Sequence, residues 1–493
     1  MAGQTLWYGL PSIASRFLGY LMNMALPFFI AMPSRTADLV QVYTIIPFLN
    51  ILYSYGLETA YFRFSQTHDR KNLYNTLSIS LAVSTITFSA ILLLFKNSIV
   101  AAADLQGHPN YVLWMIAIIA VDNFNTLPFA KLRLENRPKK YAFARVAGIL
   151  LNVSFVILFM GIIPAYLQKN PDSFIAPLHS ENFGLGYYLA GNLFGSIITL
   201  FILSKEIKSV KPVFNFPLWR EVMRYSYPLI IVGLGGMIND VLSRLIYRHV
   251  VDLPREQADH ELGIFANIFR IALLITIIIQ AFRMAAEPFF FNSSKNEDAQ
   301  KIYARVMKFF VIACCFIFLA ISLFLDVFKW IFLHFTNPAW AEGLEVVPLL
   351  AMGNIFLGIY YNLSIWYKLR NKNIYGAWIT IIGAVITIVL NIILIPVLHY
   401  TGAAIATFAC YYIMMILSYI FGQKFYPVPY EAKKLTGYLT ASVLIYAVHL
   451  ALNKLNPESI TFSLGTGFLF FCLFFLFVFK KEANEIKGIF KRT

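Results

Sequence analysis

Charge is scarce in this chain of 493 residues. Only 13% are Asp, Glu, Lys or Arg, against about 25% in an ordinary soluble domain. Signatures of soluble chemistry are also missing. No GxxxxGK[ST] phosphate cradle occurs, so the chain is not expected to hydrolyse nucleotide, and neither HExxH nor GxSxG is found. No cofactor is expected. Cysteine is rare: Cys314, Cys315, Cys410 and Cys472 fall within apolar stretches, with no zinc-like spacing and no extracellular pairing pattern. Long hydrophilic segments are lacking. The longest expected outer loop, about 167–183, carries Pro171, Pro177 and His179 and is far too small for a catalytic ectodomain. No basic segment precedes the first apolar stretch, which is too long for a signal-peptide core, so a retained helix is expected there.

Hydrophobic residues, 59% of the total, fill the space. A spanning helix needs about 20 mostly apolar residues. Fourteen stretches meet that need, near 8–31, 39–62, 75–95, 111–130, 143–166, 184–204, 226–247, 262–284, 307–328, 344–367, 376–397, 401–422, 436–453 and 461–479. The expected fold class is all-α: a polytopic membrane protein of about 14 transmembrane helices.

The net charge of +15 would suit a nucleic-acid partner, but its placement excludes one. With both termini cytoplasmic, the inner loops and tail hold 28 of the 40 Lys and Arg residues and the outer loops seven. This is the positive-inside asymmetry. It orients the chain, with its basic face towards anionic inner-leaflet lipids, and a cytoplasmic (inner) membrane is the expected location.

An internal repeat is legible. Lys131-Leu132-Arg133 followed by Tyr141-Ala142 around span 4 matches Lys368-Leu369-Arg370 followed by Tyr375-Gly376 around span 10. Span 2 closes on Glu58-Thr59-Ala60-Tyr61-Phe62, and span 8 on Glu287-Pro288-Phe289-Phe290-Phe291. Spans 6 and 12 both open with small residues: Gly184, Gly186, Ala190 and Gly191 against Gly402, Ala403, Ala404 and Ala406. The chain therefore divides into a six-helix lobe over 1–210, a second over 211–425, and two added helices with a basic tail over 426–493. An even number of spans per copy makes these parallel repeats, which rock against each other in many transporters. Pro27 in span 1 and Pro228 with Gly233, Gly235 and Gly236 in span 7 are matching places for bending.

Ser15–Ala31 (SRFLGYLMNMALPFFIA), Gly56–Phe64 (GLETAYFRF) and Gly263–Phe291 resemble the polysaccharide-exporter branch of the multidrug/oligosaccharidyl-lipid/polysaccharide flippase superfamily. The order of two sixes plus two is also that family's plan. The resemblance covers essentially the whole chain. It implies flipping of an undecaprenyl-pyrophosphate-linked oligosaccharide, as found in O-antigen export, from the inner to the outer leaflet by alternating access. Two other classes compete. A multidrug or cation exporter on the same fold would be expected to have an acidic cavity. A membrane-embedded polysaccharide polymerase or ligase would need a large outer loop with catalytic Arg and His.

Charges inside spans usually face protein or water, because lipid exposure is costly. Arg16, Asp122, Arg145, Asp240, Arg244, Arg270, Arg283 and Glu287 are such charges. Arg16 and Arg270, one per lobe, with Asp122 and Arg244, are the candidate substrate-binding residues, since a guanidinium grips phosphate through two hydrogen bonds. The resemblance points the same way: the lipid II flippase branch uses arginines of spans 1 and 8 in its cavity. Met22 and Met24 stand where that branch carries a further basic residue. Asp240 and Arg244 are spaced i,i+4 and can pair. The resemblance also implies a coupling-ion site between spans 7, 11 and 12, here Asp240, Thr387, Asn391 and Thr407, for Na⁺ or with Asp240 taking a proton. Asn391 replaces a second acidic residue of those relatives.

The topology is directly testable. A cysteine at position 173, in place of Ser173, is expected to react with an impermeant thiol reagent added outside, and one replacing Lys139 to be spared. The reverse labelling would overturn the orientation.

Overall fold

A computed structural model describes residues 17–180, 183–293, 297–370, 372–456 and 459–490. Among these residues every regular element is a helix. Packing contacts divide the chain into two compact units, Met1–Gly263 and Ile264–Thr493.

In the first unit, residues 17–24 are helical and α1 (Leu26–Phe29) follows. Then come α2 (Ala37–Ser54), α3 (Leu57–Phe64), α4 (Arg70–Leu94), α5 (Tyr111–Leu134), α6 (Pro138–Ile157), α7 (Gly186–Ile202), α8 (Phe216–Val250) and the start of α9 (Arg255–Ala272). The second unit holds the rest of α9, then α10 (Leu274–Ser293), α11 (Ala299–Ser322), α12 (Leu325–Phe335), α13 (Val347–Leu363), α14 (Asn373–Phe425), α15 (Ala432–Asn453) and α16 (Ile460–Phe490).

Ten described helices are long and apolar enough to cross a membrane, or eleven if the bent pair Arg255–Ala272 and Leu274–Gln280 is one span. The shortfall from fourteen has physical sources. Stretches 376–397 and 401–422 lie in the single 53-residue α14, which is kinked at His399 (φ 54°, ψ −136°). The stretch at 184–204 forms a helix of only 17 residues, and the first stretch is described only from residue 17.

Side chains are distributed as lipid solvent demands. Ile86, Phe143, Val385 and Phe475 are exposed, whereas Thr85, Asn123, Thr387 and Asn391 are buried. Apolar side chains lose nothing by facing lipid tails, so small residues and polar pairs set helix contacts. A Cβ added to Gly195 of α7 would collide with the carbonyl oxygen of Gly148 in α6. Only glycine permits that crossing.

The second span of each sequence copy is broken at the same place. An 18-residue α2 ends at Tyr55 (φ 34°) and Gly56 (φ 74°) before α3 begins. An 18-residue α9 ends before Leu273, where the chain bends by 41° into α10. At Gly56 the left-handed backbone favours glycine, and an added Cβ would also lie 3.2 Å from Leu229.

Helix α8 opens the second sequence copy yet packs within the first unit. Its Leu218 and Val222 join a core with Leu57, Tyr61 and Leu73, and Gln41 donates to the Arg244 carbonyl at 3.2 Å. In the second unit a buried charge cluster anchors the last two helices. Lys308 of α11 meets Glu482 at 3.0 Å and Glu485 at 2.5 Å, and Lys434 of α15 meets Glu482 at 2.5 Å.

At the basic-loop end of the first unit, buried Glu206 accepts from Arg137 at 2.7 Å and from Lys140 at 2.5 Å. Burial pushes its carboxyl up. The Lys140 hydrogen bond, a backbone hydrogen bond and the charges of Lys140 and Arg137 outweigh that and hold it below the usual carboxylate value. A lowered pKa stabilises the fold above the unfolded value, and that gain is lost as pH falls through the folded one. Glu206→Gln is therefore expected to cost roughly 1–3 kcal/mol at pH 7, the partners being partly solvated. The difference in thermal stability from the parent should persist down to about pH 4.3 and vanish in stronger acid. A pH-independent difference would show that charge is not the source.

Candidate functional site: a polar cavity in the first unit

Helices α5, α6 and α7 line an open cavity of about 380 Å³. Asp122, Asn125 and Phe129 reach it from α5, Arg145 and Asn152 from α6, and Asn192 and Ser196 from α7, with Glu58 of α3 on the lining. The spacing explains the convergence. Asp122, Asn125 and Phe129 recur at i, i+3 and i+7, one stripe of a helix. Asn192, Ser196 and Thr199 form the equivalent stripe on α7 at i, i+4 and i+7, and the glycines at 148 and 195 leave the room.

The polar groups are partly satisfied by one another. Ser196 Oγ donates to Asp122 Oδ1 at 2.6 Å. Asn125 Nδ2 donates to the Ser196 carbonyl at 3.1 Å, while its buried Oδ1 accepts nothing from the protein. Asn192 Nδ2 donates to Tyr43 at 2.7 Å, and Tyr188, whose ring meets that of Tyr43 edge-on, donates to Asn23 at 2.8 Å. Arg145 stacks over Phe129 at 4.1 Å and acts electrostatically on Asp122. Glu58 forms an ion pair with Arg133. Such a lining, with two carboxylates (Asp122, and Glu58 in its pair with Arg133), one guanidinium, amides, hydroxyls and an aromatic face, can hydrogen-bond a polyhydroxylated group.

Of the residues singled out from sequence, Asp122 and Arg145 share this cavity. Asn123, the residue after Asp122, faces away from it and turns to Thr85 at 2.6 Å and to the Tyr53 carbonyl. Arg16 lies outside the described residues, as does the side chain of Glu287. Arg244 donates to the Asp240 carbonyl at 3.1 Å, one turn back on α8. Arg270 is half-buried in the last turn of α9, three residues before the bend. Thr387, Asn391 and Thr407 are buried in α14 of the second unit. Asn391 Nδ2 donates to the Thr387 carbonyl at 2.6 Å, and its Oδ1 accepts nothing from the protein. Arg283 lies over Tyr361 at 4.7 Å. Sequence reasoning missed Asn152, Asn192 and Ser196. Their signal was an isolated polar residue in each apolar turn.

No protein-family model matches the chain. An uncharacterized membrane protein of Methanocaldococcus jannaschii is 23% identical over 341 residues, 60% of this chain and 75% of that protein. Among solved structures, the lipid II flippase MurJ in an inward closed conformation superposes with a TM-score of 0.72 at 14% identity, covering 97% of this chain and 99% of MurJ. An inward-facing multidrug resistance MATE transporter of the MOP superfamily gives 0.59 at 15% identity, covering 85% and 95%. A MATE protein in its straight conformation gives 0.60 at 13% identity, covering 89% and 96%. The chain has the all-helical polytopic fold of the MurJ and MATE transporters.

Proposed function

We propose that the protein is a flippase that moves a lipid-linked, undecaprenyl-pyrophosphate oligosaccharide from the inner to the outer leaflet. Two six-helix lobes, 1–210 and 211–425, would alternate access, with both termini cytoplasmic. The observation that carries this reading is the likeness to a lipid-linked-substrate flippase over 97% of the chain, against 85–89% for the multidrug transporters. The cavity chemistry is compatible with it: Glu58 is paired with Arg133, and the amides and hydroxyls beside Asp122 and Arg145 can hydrogen-bond sugar hydroxyls.

In this reading Arg16, Arg244 and Arg270 take the pyrophosphate, and Asp122 with its neighbours takes sugar hydroxyls. Asp240 would supply the charge, and Thr387, Asn391 and Thr407 the neutral oxygens, for a Na⁺ ion. The unaccepting Oδ1 of Asn391 suits such a ligand. Proton uptake by Asp240 is the other coupling route.

The test uses proteoliposomes carrying a lipid-linked oligosaccharide, whose glycan becomes accessible to an added glycosidase when flipped. Arg270→Ala is expected to slow flipping about 10- to 100-fold, the worth of a charge-assisted hydrogen bond. Arg270→Lys should recover part, because an ammonium lacks the planar fork. Asp240→Asn should lose the response to imposed Na⁺ or pH gradients. Normal flipping by the alanine variant would remove Arg270 from the site. Export of a cationic dye with no flipping would replace the flippase by the exporter.

A further inference from the structure

At the end of the first unit opposite Glu206, six charged or titratable side chains from distant parts of the chain form one network. Arg248, at the end of α8, has no exposed side-chain surface. It donates to Asp38 Oδ1 at 2.6 Å, Asp259 Oδ1 at 2.7 Å and the Asp104 carbonyl at 2.9 Å. Arg255, at the start of α9, pairs with the Asp104 carboxylate, with the Asp104 carbonyl at 2.7 Å and with Asp259 Oδ2 at 3.0 Å. Asp38, in the first turn of α2, also meets His108 Nδ1 at 2.6 Å. His108 in turn stacks on Tyr111 at 4.6 Å. Backbone contacts reinforce the tie. His249 Nε2 lies 3.1 Å from the Ala102 carbonyl, and a Cβ on Gly263 would collide with the Pro33 carbonyl.

The membership of this network is its informative feature. Asp38, Asp104 and His108 belong to the first sequence copy, in segments 1–2 and 3–4 of the outer side. Arg248, Arg255 and Asp259 belong to the second, in the turn between spans 7 and 8. We infer that this network is an outer latch, which holds the first helices of the second copy against the first copy and must break whenever the outer end opens. The inference rests on the alternating-access reading.

The energetics fit a reversible tie. A buried guanidinium without its full set of acceptors is costly, whereas the same group in water is not. Opening exchanges three acceptors of Arg248 for hydration. The network reaches the surface at its edge: in the Arg255–Asp104 pair the Asp104 side chain is 24% exposed and that of Arg255 44%. Removing one carboxylate therefore penalises the closed arrangement specifically. Removing an ordinary packing contact would weaken the whole fold instead.

The experiment measures distance in the full-length protein in lipid nanodiscs. Spin labels are attached to cysteines replacing Gln106 and Gln257, both exposed on the two sides of the tie, in a Cys472→Ser background. Asp38→Asn keeps the side-chain volume and removes the charge. Arg248→Gln is the second variant. Both are expected to raise the ratio of long to short inter-label distances about tenfold or more over the parent. Lower melting temperature with an unchanged distance distribution would overturn the latch and leave a folding tie. Unchanged distances and unchanged stability would overturn it as well. A lengthened distance in variants of a parent that flips no lipid-linked sugar would uphold the latch and defeat the proposed substrate.

Discussion

Hydrocarbon offers a polar group no partner, and the rest of this structure follows from that constraint. The backbone satisfies itself as helix. Buried hydroxyls and amides do the same locally: Thr85 bonds the Leu81 carbonyl, Thr380 that of Gly376, Asn391 that of Thr387, and Thr407 that of Ala403. These bonds to the preceding turn satisfy a buried hydroxyl or amide within its own helix, whatever further partners it has, as Thr85 has in Asn123. Where local satisfaction is incomplete, the molecule has a cavity or a network. Asp122 and Asn125 have Ser196 and open space, and Arg248 has three oxygens from three segments.

Helix positions were legible in the sequence because length and apolarity are all that a membrane span requires. The helix after Leu178 was predicted at 184–204 and runs over Gly186–Ile202; the basic ends at Lys131–Arg133 and Lys368–Arg370 do fall at helix termini. Asp122 was legible as a charge inside a span. Its companions on α6 and α7 were not, because one amide in an apolar helix does not announce which neighbour it faces. Asn152 and Asn192 came together with Asp122 only through the glycine crossing of α6 and α7. The outer network was hidden for another reason. Asp38 lies 70 positions from His108 and 210 from Arg248, and no local spacing carries such a pairing. Arg248 and Arg255 are two of the seven basic residues of the expected outer loops, and nothing local sets them apart from the other five.

Burial also separates structural charge from charge with room to act. Lys308 and Glu482, 3% and 1% exposed, are closed off by Glu485 and Lys434 and by the hydroxyl of Tyr438 at 2.5 Å. Every charged member has an opposite charge at contact, so the cluster fixes α15 and α16 to α11. Asp122 has only a neutral hydroxyl at contact, with Arg145 farther along the same lining. A group so placed retains capacity to bind something else, and this is the physical distinction between an anchor and a site.

Helix α8 brings both kinds of contact together. Along much of its length it meets α2, α3 and α4 through apolar side chains and glycine, as at Gly56 against Leu229 and Gly233 against Ile51, with single polar contacts at Trp219 to Ser80 and Gln41 to the Arg244 carbonyl. Those contacts have little directional preference and tolerate sliding or rotation of a helix. At its last turn the contact is directional and charged, and an ångström of displacement breaks several hydrogen bonds at once. A helix held in this way can shift on its apolar length only after its charged end has let go. The continuous face of α8 thus supplies a bearing, and Arg248, fully buried and triply bonded, sets the threshold for movement.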